Sequence, residues 1–353
     1  MENYVGDTCI ENWNEYLDER LENFQVQKNR QPCLLLCIHA FSMVRTIGKG
    51  GGGKIVLATR KYDYKHFAIK ITSKKSAVKT DCLIRFKNEM EILKAIDFPF
   101  VINLEFSFQD NNYWYYAMPF MQGGDLFTLI TCLGVLSEDD AKFYAAQIVL
   151  ALEYLHYLGV VHRDVKIENV LLDSNGYIKL TDFGFAKILP KTRRTYSFCG
   201  TPVYLSPEII IQKGYGFSTD WWSFGVLIYE ICSGHLPFTG RKHISLFENI
   251  IDCTYRMPVH FSYQLQSLIT KLFVSDVSKR IGCTYRGVSD IKDAEWFSSY
   301  NWLDLCNKKY KPPYIPNVNG PLDHSLFDDF SSHKLKFSKQ HLIQESFRSF
   351  NSE

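Results

Sequence analysis

The chain lacks several features that quickly assign a protein to a class. Its 353 residues carry a formal net charge of only +2, so the overall charge favours neither nucleic acid nor an anionic membrane as a partner. None of its ten cysteines forms a C-x-x-C pair, and their scattered positions predict reduced thiols inside a cell rather than disulfides or a zinc site. We therefore expect the cytoplasm as the main location, with the nucleus as a second one.

Targeting signals and long apolar runs are also absent. The first ten residues, MENYVGDTCI, lack the basic and then apolar pattern of a signal peptide, and we expect none. The apolar run CLLLCI is far too short to span a bilayer. Residue 2 is glutamate, whereas N-myristoylation needs glycine there, so we expect no myristoyl membrane anchor. The content of hydrophobic residues, 46%, is ample for one large core or two smaller ones.

Near the start of the chain, one apolar stripe predicts an amphipathic helix over residues 8–26. Its members are spaced by three or four residues, as on one face of a helix, with Asp, Glu and Asn on the other face. The stripe favours packing against the protein's own core before binding to another partner. Its members are Ile10, Trp13, Leu17, Leu21 and Phe24.

Residues 41–120 have mostly the patterns of β-strands. KIVLATR and HFAIKIT are short apolar runs separated by a polar turn, and INLEFSFQD and YWYYAMPF are two further candidates. One helix, TDCLIRFKNEMEILKAI, interrupts them, with Thr80 or Asp81 as its N-cap. A small, sheet-rich lobe is therefore expected, with the segment MPFMQGG after it as a hinge.

Long helical patterns dominate after residue 124. SEDDAKFYAAQIVLALEYLHYLG is the clearest, with Ser137 as the N-cap candidate and Gly159 at its end. From about residue 300 the chain is polar and contains several prolines, which predicts an extended tail on the surface. A larger, helical lobe followed by a tail is therefore expected.

The stretch TIGKGGGGKIVLATR contains a G-x-G-x-x-G pattern at Gly48, Gly50 and Gly53. Taken alone it is a weak signal, because a flexible hairpin turn explains it as well as a phosphate-binding loop does. Lys70 follows on a predicted strand among apolar neighbours, where an inward-facing charge needs a partner. Glu89 is a candidate partner, because it shares a helix face with apolar residues, although most helix carboxylates are solvated.

The stretch VVHRDVKIENVLLDSNGYIKLTDFGFAK decides between these interpretations. Its triplets HRD at 162–164 and DFG at 182–184, with Asn169 between them, resemble the catalytic loop and metal-binding triplet of eukaryotic protein kinases. The resemblance implies an α+β, bilobal protein-kinase fold, with a small antiparallel-sheet lobe and a large helical lobe. The implied segments are an N-terminal helix and linker at 1–40, a kinase domain at 41–297 (small lobe and hinge at 41–121, large lobe at 122–297) and a regulatory tail at 298–353.

The resemblance also implies ATP and two Mg²⁺ ions as cofactors, and it assigns roles by position. Phosphoryl transfer depends mainly on positioning and on neutralising negative charge. Asp164 would accept the proton of the substrate hydroxyl, and Lys166 would stabilise the γ-phosphate. Lys70, held by Glu89, would bind the α- and β-phosphates. The catalytic set is completed by Thr201, and the implied metal ligands are Asn169 and Asp182.

Further stretches narrow the resemblance to the catalytic subunit of cyclic-AMP-dependent protein kinase. FPFVINLEFSFQDN, CGTPVYLSPEIIIQKGYG and DWWSFGVLIYE are similar to that family. So is the tail, where FDDF resembles an element of the adenine pocket, Ser338 a phosphosite, and Phe347 with Phe350 a docking motif. The implied function is transfer of the γ-phosphate of Mg-ATP to Ser or Thr of proteins, with Arg upstream and an apolar residue downstream. A regulatory subunit that binds cyclic AMP would control it.

The same resemblance carries over the residues that contact ligands. The implied ATP-binding set is Ile47, Gly48, Gly50, Gly51, Gly52, Gly53, Ile55, Ala68, Lys70, Met118, Pro119, Met121, Asp125, Leu171 and Phe327. The carboxylates that would receive the substrate arginines are Asp125, Glu168 and Glu230. The implied pocket for the apolar residue is lined by Phe198, Pro202 and Leu205. Phosphorylation is expected at Ser197 and Ser338, and a phosphate on Ser197 would pair with Arg163, Lys187 and Arg85.

Some positions depart from the family pattern. Gly52 replaces an aromatic residue at the loop tip, so we expect weaker nucleotide affinity. Pro119 replaces a hinge glutamate but keeps the carbonyl group that adenine needs. Neutral residues at 131, 132, 135 and 203 replace charged ones, which argues against stringent arginine selection and tight binding of a regulatory subunit. Two alternatives stay open: a related kinase without cyclic-AMP control, and a weakly active nucleotide-binding interaction protein.

Overall fold

The structure, a computed structural model, describes residues 10–28, 37–50, 53–79, 83–190, 192–328 and 330. Its α-helices are α1 (Trp13–Lys28), α2 (Lys74–Lys79), α3 (Leu83–Ala95), α4 (Leu126–Leu133), α5 (Glu138–Tyr157), α6 (Pro207–Ile210), α7 (Ser218–Ser233), α8 (His243–Ile251), α9 (Tyr263–Leu272), α10 (Ser289–Lys292) and α11 (Trp302–Cys306). Its strands are β1 (Phe41–Gly50), β2 (Gly53–Arg60), β3 (His66–Ser73), β4 (Phe106–Gln109), β5 (Tyr113–Pro119), β6 (Val160–Val161), β7 (Val170–Leu172), β8 (Ile178–Leu180) and β9 (Lys187–Ile188). Short 3₁₀ helices cover Ile38–Ala40, Ile167–Asn169, Phe183–Phe185, Pro202–Tyr204 and Glu295–Phe297.

The first five strands form one antiparallel sheet in the order β1-β2-β3-β5-β4, which confirms the expected small lobe. Side chains alternate between the two faces along each strand. Val56, Ile69 and Tyr115 therefore lie together in a hydrophobic cluster on one face. Lys70 and its cross-strand partner Ile55 lie on the other face, where both line the space between the lobes.

The large lobe is built around α5 and α7, in which most residues are buried. A helix that is apolar on nearly all sides belongs at the centre of a core. The Ser137 side chain caps α5 by accepting a hydrogen bond from the Asp140 N–H (3.2 Å), and Gly159 follows its end with φ 78°, both as predicted. No helix among the described residues is long and apolar enough to cross a membrane.

The N-terminal helix α1 packs on the core, as its apolar stripe predicts. Leu17 and Phe24 are buried in the large hydrophobic cluster. The helix begins at Trp13, later than predicted, because the Asn12 side chain accepts a hydrogen bond from the Asn14 N–H (3.2 Å) at this point. The earlier residues of the predicted helix are either non-helical or outside the described ranges.

Two predicted segments need correction. The strand predicted over 102–110 is reduced to β4, because the Ile102 N–H donates to the carbonyl of Leu180 in the large lobe (2.9 Å) and draws this part of the chain away from the sheet. The tail is not extended throughout, since α11 lies within it. Asn301 starts that helix by accepting a hydrogen bond from the Leu303 N–H (3.0 Å).

A buried ion pair joins α6 to the segment after α9. The Arg280 guanidinium makes two contacts with the Glu208 carboxylate (2.7 and 2.9 Å), and Ser218 donates to the same carboxylate (2.8 Å). Arg280 is fully buried and Glu208 is 4% exposed. Burial alone would raise the pKa of Glu208, but the contacts with Arg280 outweigh it and hold the pKa below its usual value. The ionised state of Glu208 therefore depends on Arg280.

Replacing Arg280 by leucine should lower the free energy of unfolding by about 3–5 kcal/mol, because the Glu208 carboxylate stays buried without its partner. The loss should be full above pH 4.5, the ordinary pKa of Glu208, and should shrink as the pH falls through its lowered pKa. Urea unfolding at about pH 7.5 and about pH 4 measures both effects.

The matched control is Lys279→Leu. Lys279 lies 3.5 Å from Asp276, and its side chain is 77% exposed. An exposed pair contributes little to stability, so this variant should be almost as stable as the wild type. Equal losses in the two variants would contradict the importance of the buried pair.

Candidate active site

The two lobes enclose a cavity of about 1030 Å³. From the predicted sets its wall contains Ile47, Gly50, Gly53, Ile55, Ala68, Lys70, Glu89, Met118, Pro119, Met121, Asp125, Asp164, Lys166, Glu168, Asn169, Leu171, Asp182, Thr201 and Phe327. The predicted residues that are described but do not line it are Gly48, Ser197, Phe198, Pro202, Leu205 and Glu230. Those outside the described residues are Gly51, Gly52, Ser338, Phe347 and Phe350.

Lys70 on β3 and Glu89 on α3 meet at the cavity wall, with 2.5 Å between Nζ and Oε1. Asp182 Oδ1 lies 3.5 Å from the same Nζ. Burial alone would lower the pKa of Lys70, but the attraction of Glu89 and Asp182 outweighs it and raises the pKa. Burial raises the pKa of Glu89, so its carboxylate depends on Lys70 to remain ionised. Lys70 is therefore a fixed cation between two carboxylates.

Asp164 lies at the centre of a hydrogen-bond network in the large-lobe wall of the cavity. Its Oδ1 accepts hydrogen bonds from the hydroxyl (2.7 Å) and the N–H (3.0 Å) of Thr201. Its Oδ2 accepts one from the Asn169 side-chain amide (3.1 Å) and lies 3.4 Å from Lys166 Nζ. Lys166 also donates to Thr201 Oγ1 (3.0 Å). The carboxylate is therefore held in one orientation from both of its oxygens.

The loop that carries Asp164 is held by the buried carboxylate of Asp220. This carboxylate accepts hydrogen bonds from the backbone N–H groups of His162 (2.9 Å) and Arg163 (2.8 Å), and from His156 Nε2 (2.8 Å). Burial alone would raise the pKa of Asp220, but these contacts outweigh it and lower the pKa. Arg163 has φ 70°, a conformation that a residue with a Cβ adopts only when its surroundings impose it. The two backbone hydrogen bonds supply that constraint.

Asp182 reaches the cavity from the start of the 3₁₀ helix Phe183–Phe185. Its side chain accepts a hydrogen bond from the Gly184 N–H (3.3 Å) and is 47% exposed. Burial of the carboxylate would raise its pKa, but Lys70 and the Gly184 N–H outweigh burial and lower the pKa. Asp182 is therefore ionised and reachable from the cavity.

An acidic pair, Glu168 and Glu230, lies on the large lobe. The Tyr204 hydroxyl donates a hydrogen bond to Glu230. Burial raises the pKa of Glu230 above its usual value, the hydrogen bond from Tyr204 partly offsets this, and the charge of Glu168 raises the pKa again. A cation placed between the two carboxylates would therefore be stabilised.

An apolar surface lies around Phe198, which is half exposed and packs on Phe247 with their ring centroids 6.2 Å apart. Leu205 is only 2% exposed and belongs to a cluster with Ile209 and Tyr215. Leu205 therefore lies beneath this surface, and its predicted role in the pocket for the apolar residue stays a prediction.

Two positive side chains lie near the segment that carries the exposed Ser197. The Tyr215 hydroxyl donates to the Ser197 carbonyl (2.6 Å), and Arg163 Nη1 donates to the Tyr215 hydroxyl (3.3 Å). Lys187 Nζ donates to Thr195 Oγ1, two residues before Ser197 (3.1 Å). Two of the three predicted phosphate partners are therefore close to this segment. Lys187 contacts it directly, and Arg163 contacts Tyr215, which is hydrogen-bonded to it.

Comparison with known proteins supports the resemblance seen in the sequence. Residues 41–297 match the model of the protein kinase domain. The chain belongs to the protein kinase family. This kinase is 38% identical to cAMP-dependent protein kinase catalytic subunit 2 of Drosophila melanogaster, over 91% of each chain.

Two other relatives are longer than this chain. The kinase is 38% identical to the cAMP-dependent protein kinase catalytic subunit of Arthrobotrys oligospora over 85% of its own residues, and it spans 58% of that relative. It is 39% identical to the serine/threonine-protein kinase akt-1 of Caenorhabditis elegans over 84% of its own residues, and it spans 56% of that relative. These similarities place the chain among serine/threonine protein kinases, while the two kinds of relative match it equally well.

Protein kinases use ATP with Mg²⁺, and the cavity residues fit both. No group of three or more His, Cys, Asp or Glu side chains suited to a metal occurs within the described residues. Mg²⁺ needs no such cage, because one or two protein ligands together with substrate phosphates normally hold it. Asp182 offers an ionised carboxylate, and Asn169 donates its amide nitrogen to Asp164, which leaves its carbonyl oxygen as a possible ligand.

Sequence reasoning missed some residues of the cavity. Phe120 lines it and packs on Phe327 of the tail, with ring centroids 5.5 Å apart, and Thr181 lines it beside the DFG triplet. Their positions next to motif residues were the available signals. Asp125 also has a structural role that the sequence did not indicate, because its side chain caps α4 by accepting a hydrogen bond from the Thr128 N–H (2.7 Å).

Replacing Glu89 by glutamine should lower kcat/KM for ATP by about 100-fold, because Lys70 then shifts toward Asp182 and a displacement of about 1 Å has this effect on a reacting group. Steady-state rates at varied ATP concentration measure it. Glu91→Gln, on the same helix but outside the cavity wall, is the matched control and should retain wild-type kcat/KM. Equal kcat/KM in the two variants would contradict the positioning of Lys70 by Glu89.

Proposed function

We propose that this kinase transfers the γ-phosphate of Mg-ATP to Ser or Thr of proteins, with Asp164 orienting the substrate hydroxyl and accepting its proton. One observation carries the proposal: Thr201 and Asn169 hold both oxygens of the Asp164 carboxylate in place at the cavity. Phosphoryl transfer depends mainly on positioning, so the main contribution of Asp164 is to orient the hydroxyl.

Two lysines supply positive charge at separate points of the cavity wall. Lys70 faces the cavity from the small lobe and Lys166 from the large lobe. Cations that are already oriented stabilise the negative charge that spreads over phosphoryl oxygens in the transition state. We assign Asp182 and Asn169 as the ligands of two Mg²⁺ ions, which would supply further neutralisation when bound.

The acidic pair supports a preference for substrates with Arg upstream of the phosphoacceptor. Burial and, to a smaller extent, the charge of Glu168 raise the pKa of Glu230, so a bound guanidinium would stabilise its ionised carboxylate. Asp125 is the third proposed partner, through the oxygen that does not cap α4. Phe198 and Phe247 offer an apolar surface to the residue that follows the phosphoacceptor.

We further propose that a regulatory subunit controls this kinase and that cyclic AMP releases it. The names of the Drosophila and Arthrobotrys relatives support this. Exposed side chains beside Ser197 suit such a partner, with Tyr196 66% and Phe198 50% exposed. Lys213 would add charge to the same surface, whereas the neutral residue Val203 weakens it.

A peptide of the form Arg-Arg-x-Ser-apolar should be phosphorylated, and Asp164→Asn should lower kcat by at least about 100-fold because the oriented carboxylate is lost. Adding a regulatory subunit of a cyclic-AMP-dependent kinase should suppress the wild-type rate, and cyclic AMP should restore it. Initial rates with labelled ATP measure these effects.

Two variants serve as controls for this experiment. Asp139→Asn, with a side chain 91% exposed, should keep the wild-type rate. Glu230→Gln should raise KM for the Arg-Arg peptide more than for an Ala-Ala peptide. A rate that the subunit leaves unchanged would favour the related kinase without cyclic-AMP control. Thermal stabilisation by Mg-ATP without phosphate transfer, in protein phosphorylated at Ser197, would favour a nucleotide-binding interaction protein.

We also propose that one copy of this kinase phosphorylates Ser197 of another. Ser197 is exposed, Arg194 lies three residues upstream and Phe198 follows, so the segment has the proposed substrate pattern. Arg85 on α3 lies over the ring of Phe185, near the end of the DFG turn (5.4 Å). A phosphate could join it to the cations that already contact the segment.

A Lys70→Met protein should lack phosphate on Ser197 when it is produced in cells without active copies, and it should gain phosphate when mixed with active enzyme. Mass spectrometry of the segment measures this. Arg194→Ala should slow the reaction more than its neighbour Arg193→Ala, the matched control. Full phosphorylation of the Lys70→Met protein without active copies would show that another kinase acts there.

A further inference from the structure

A second cavity lies beside the nucleotide cavity, between β1 and the tail. Its wall consists of Arg45 from β1 and of the tail residues Asn319, Leu322, Asp323, His324, Ser325 and Phe327. Phe327 belongs to the walls of both cavities and packs on Phe120 of the hinge. Whatever holds this part of the tail in place therefore also holds one wall of the proposed ATP site.

Both ring nitrogens of His324 make contacts, one within the tail and one with β1. Nδ1 lies 2.9 Å from the carbonyl oxygen of Leu322, and Nε2 lies 3.0 Å from Arg45 Nη1. A carbonyl oxygen only accepts hydrogen bonds, so Nδ1 carries the proton. A guanidinium only donates, so Nε2 must offer a lone pair. One species alone satisfies both contacts: the neutral imidazole with its proton on Nδ1.

The same residue is coupled to Phe327 through the backbone. The Phe327 N–H donates to the His324 carbonyl (3.0 Å), and the Gln122 side chain donates to the Gly320 carbonyl and ties the start of the segment to the hinge (2.8 Å). The segment is therefore a folded turn, and the contact between His324 and Arg45 fastens it to the strand that covers the nucleotide cavity.

We propose that His324 is a positioning residue for the nucleotide: its neutral ring accepts a hydrogen bond from Arg45 and so holds Phe327 at the cavity, and its protonation releases the tail and weakens nucleotide binding. This inference depends on the proposed function in one respect: it assumes that the larger cavity binds ATP. Histidine is the side chain that changes charge near neutral pH. Protonation removes the lone pair that Arg45 uses and brings two cations within 3.0 Å of each other.

The charged groups around the His324 ring are consistent with weaker nucleotide binding after protonation. Within the described residues, the charged groups in the wall of the second cavity are Arg45 from β1 and Asp323 from the tail. The N–H groups of Asn319 and Ser325 bind the Asp323 carboxylate and hold its pKa at about 2, so it stays ionised over the pH range of the test. Asp323 would partly offset the charge on the ring, while its two oxygens are already engaged by backbone N–H groups.

Adenosine is the probe for the first test, because it fits the adenine end of the site and carries no phosphate group that titrates. Calorimetry at about pH 7.5 and about pH 5.5 should show that wild-type affinity falls by about three- to tenfold, the net effect of one typical hydrogen bond. His324→Gln keeps an acceptor that does not titrate, so its affinity should change little with pH. His324→Ala should bind weakly at both pH values.

His66→Gln is the matched control. His66 is partly buried and contacts one side chain, Thr59 (3.0 Å), but it does not line either cavity. This variant should retain the pH dependence of the wild type. Arg45→Ala should bind adenosine as weakly as His324→Ala, and the double variant should be no weaker than either single one.

Steady-state kinetics with ATP distinguish a role of His324 in positioning the nucleotide from a general loss of protein structure. When the pH falls from about 7.5 to about 5.5, KM for ATP should rise more in the wild type than in His324→Gln. The ratio of kcat in the wild type to kcat in His324→Gln should stay constant. The same pH dependence of adenosine binding in the wild type and His324→Gln would overturn the proposal, as would wild-type affinity in His324→Ala at about pH 7.5. The adenosine effect without any phosphate transfer would support this role of His324 and contradict the proposed function instead.

Discussion

The buried carboxylate of Asp220 sets the geometry on which the rest of the cleft depends. It binds the backbone of two consecutive residues rather than their side chains, so it determines the direction of the chain that follows. From that turn Asp164 faces the cavity. The side chain of Arg163 donates a hydrogen bond to the hydroxyl of Tyr215, next to the segment that carries Ser197. The carboxylate of Asp164 and the segment that carries Ser197 are therefore linked to the same support by a short series of hydrogen bonds.

Two groups of buried charges contain both signs, because an isolated charge in a core is strongly unfavourable. Lys70 lies between two carboxylates that come from α3 and from the DFG triplet, so three separate segments must be correctly placed for the group to be satisfied. Glu208 and Arg280 are a pair of the same kind, but they lie away from the cavity and connect parts of the large lobe. Similar electrostatics thus occurs at the proposed active site and within the large lobe.

Local patterns predicted most of the fold. The strands of the small lobe, the caps of α5 and the inward direction of Glu89 follow from the spacing of apolar residues and from single capping residues. Ile102 left its predicted strand because its N–H pairs with a distant carbonyl, and no local pattern contains that information. The candidate site was predicted from family motifs. These identify residues along the sequence but do not show which other residues contact them in space. His324 and Arg45, 279 residues apart in the chain, could not be paired before the structure placed the tail against β1.

The capping of α4 by Asp125 has a consequence for recognition. A free carboxylate samples several rotamers, and a ligand that needs one of them must restrict this motion when it binds. In Asp125 the restriction is already imposed by the first turn of the helix, because one oxygen holds the Thr128 N–H. The second oxygen is thereby presented in a defined direction before any ligand arrives. The short helix α4 thus preorganises the site, because it holds the carboxylate of Asp125 in place. Substitutions that destabilise α4 would therefore lower ligand affinity.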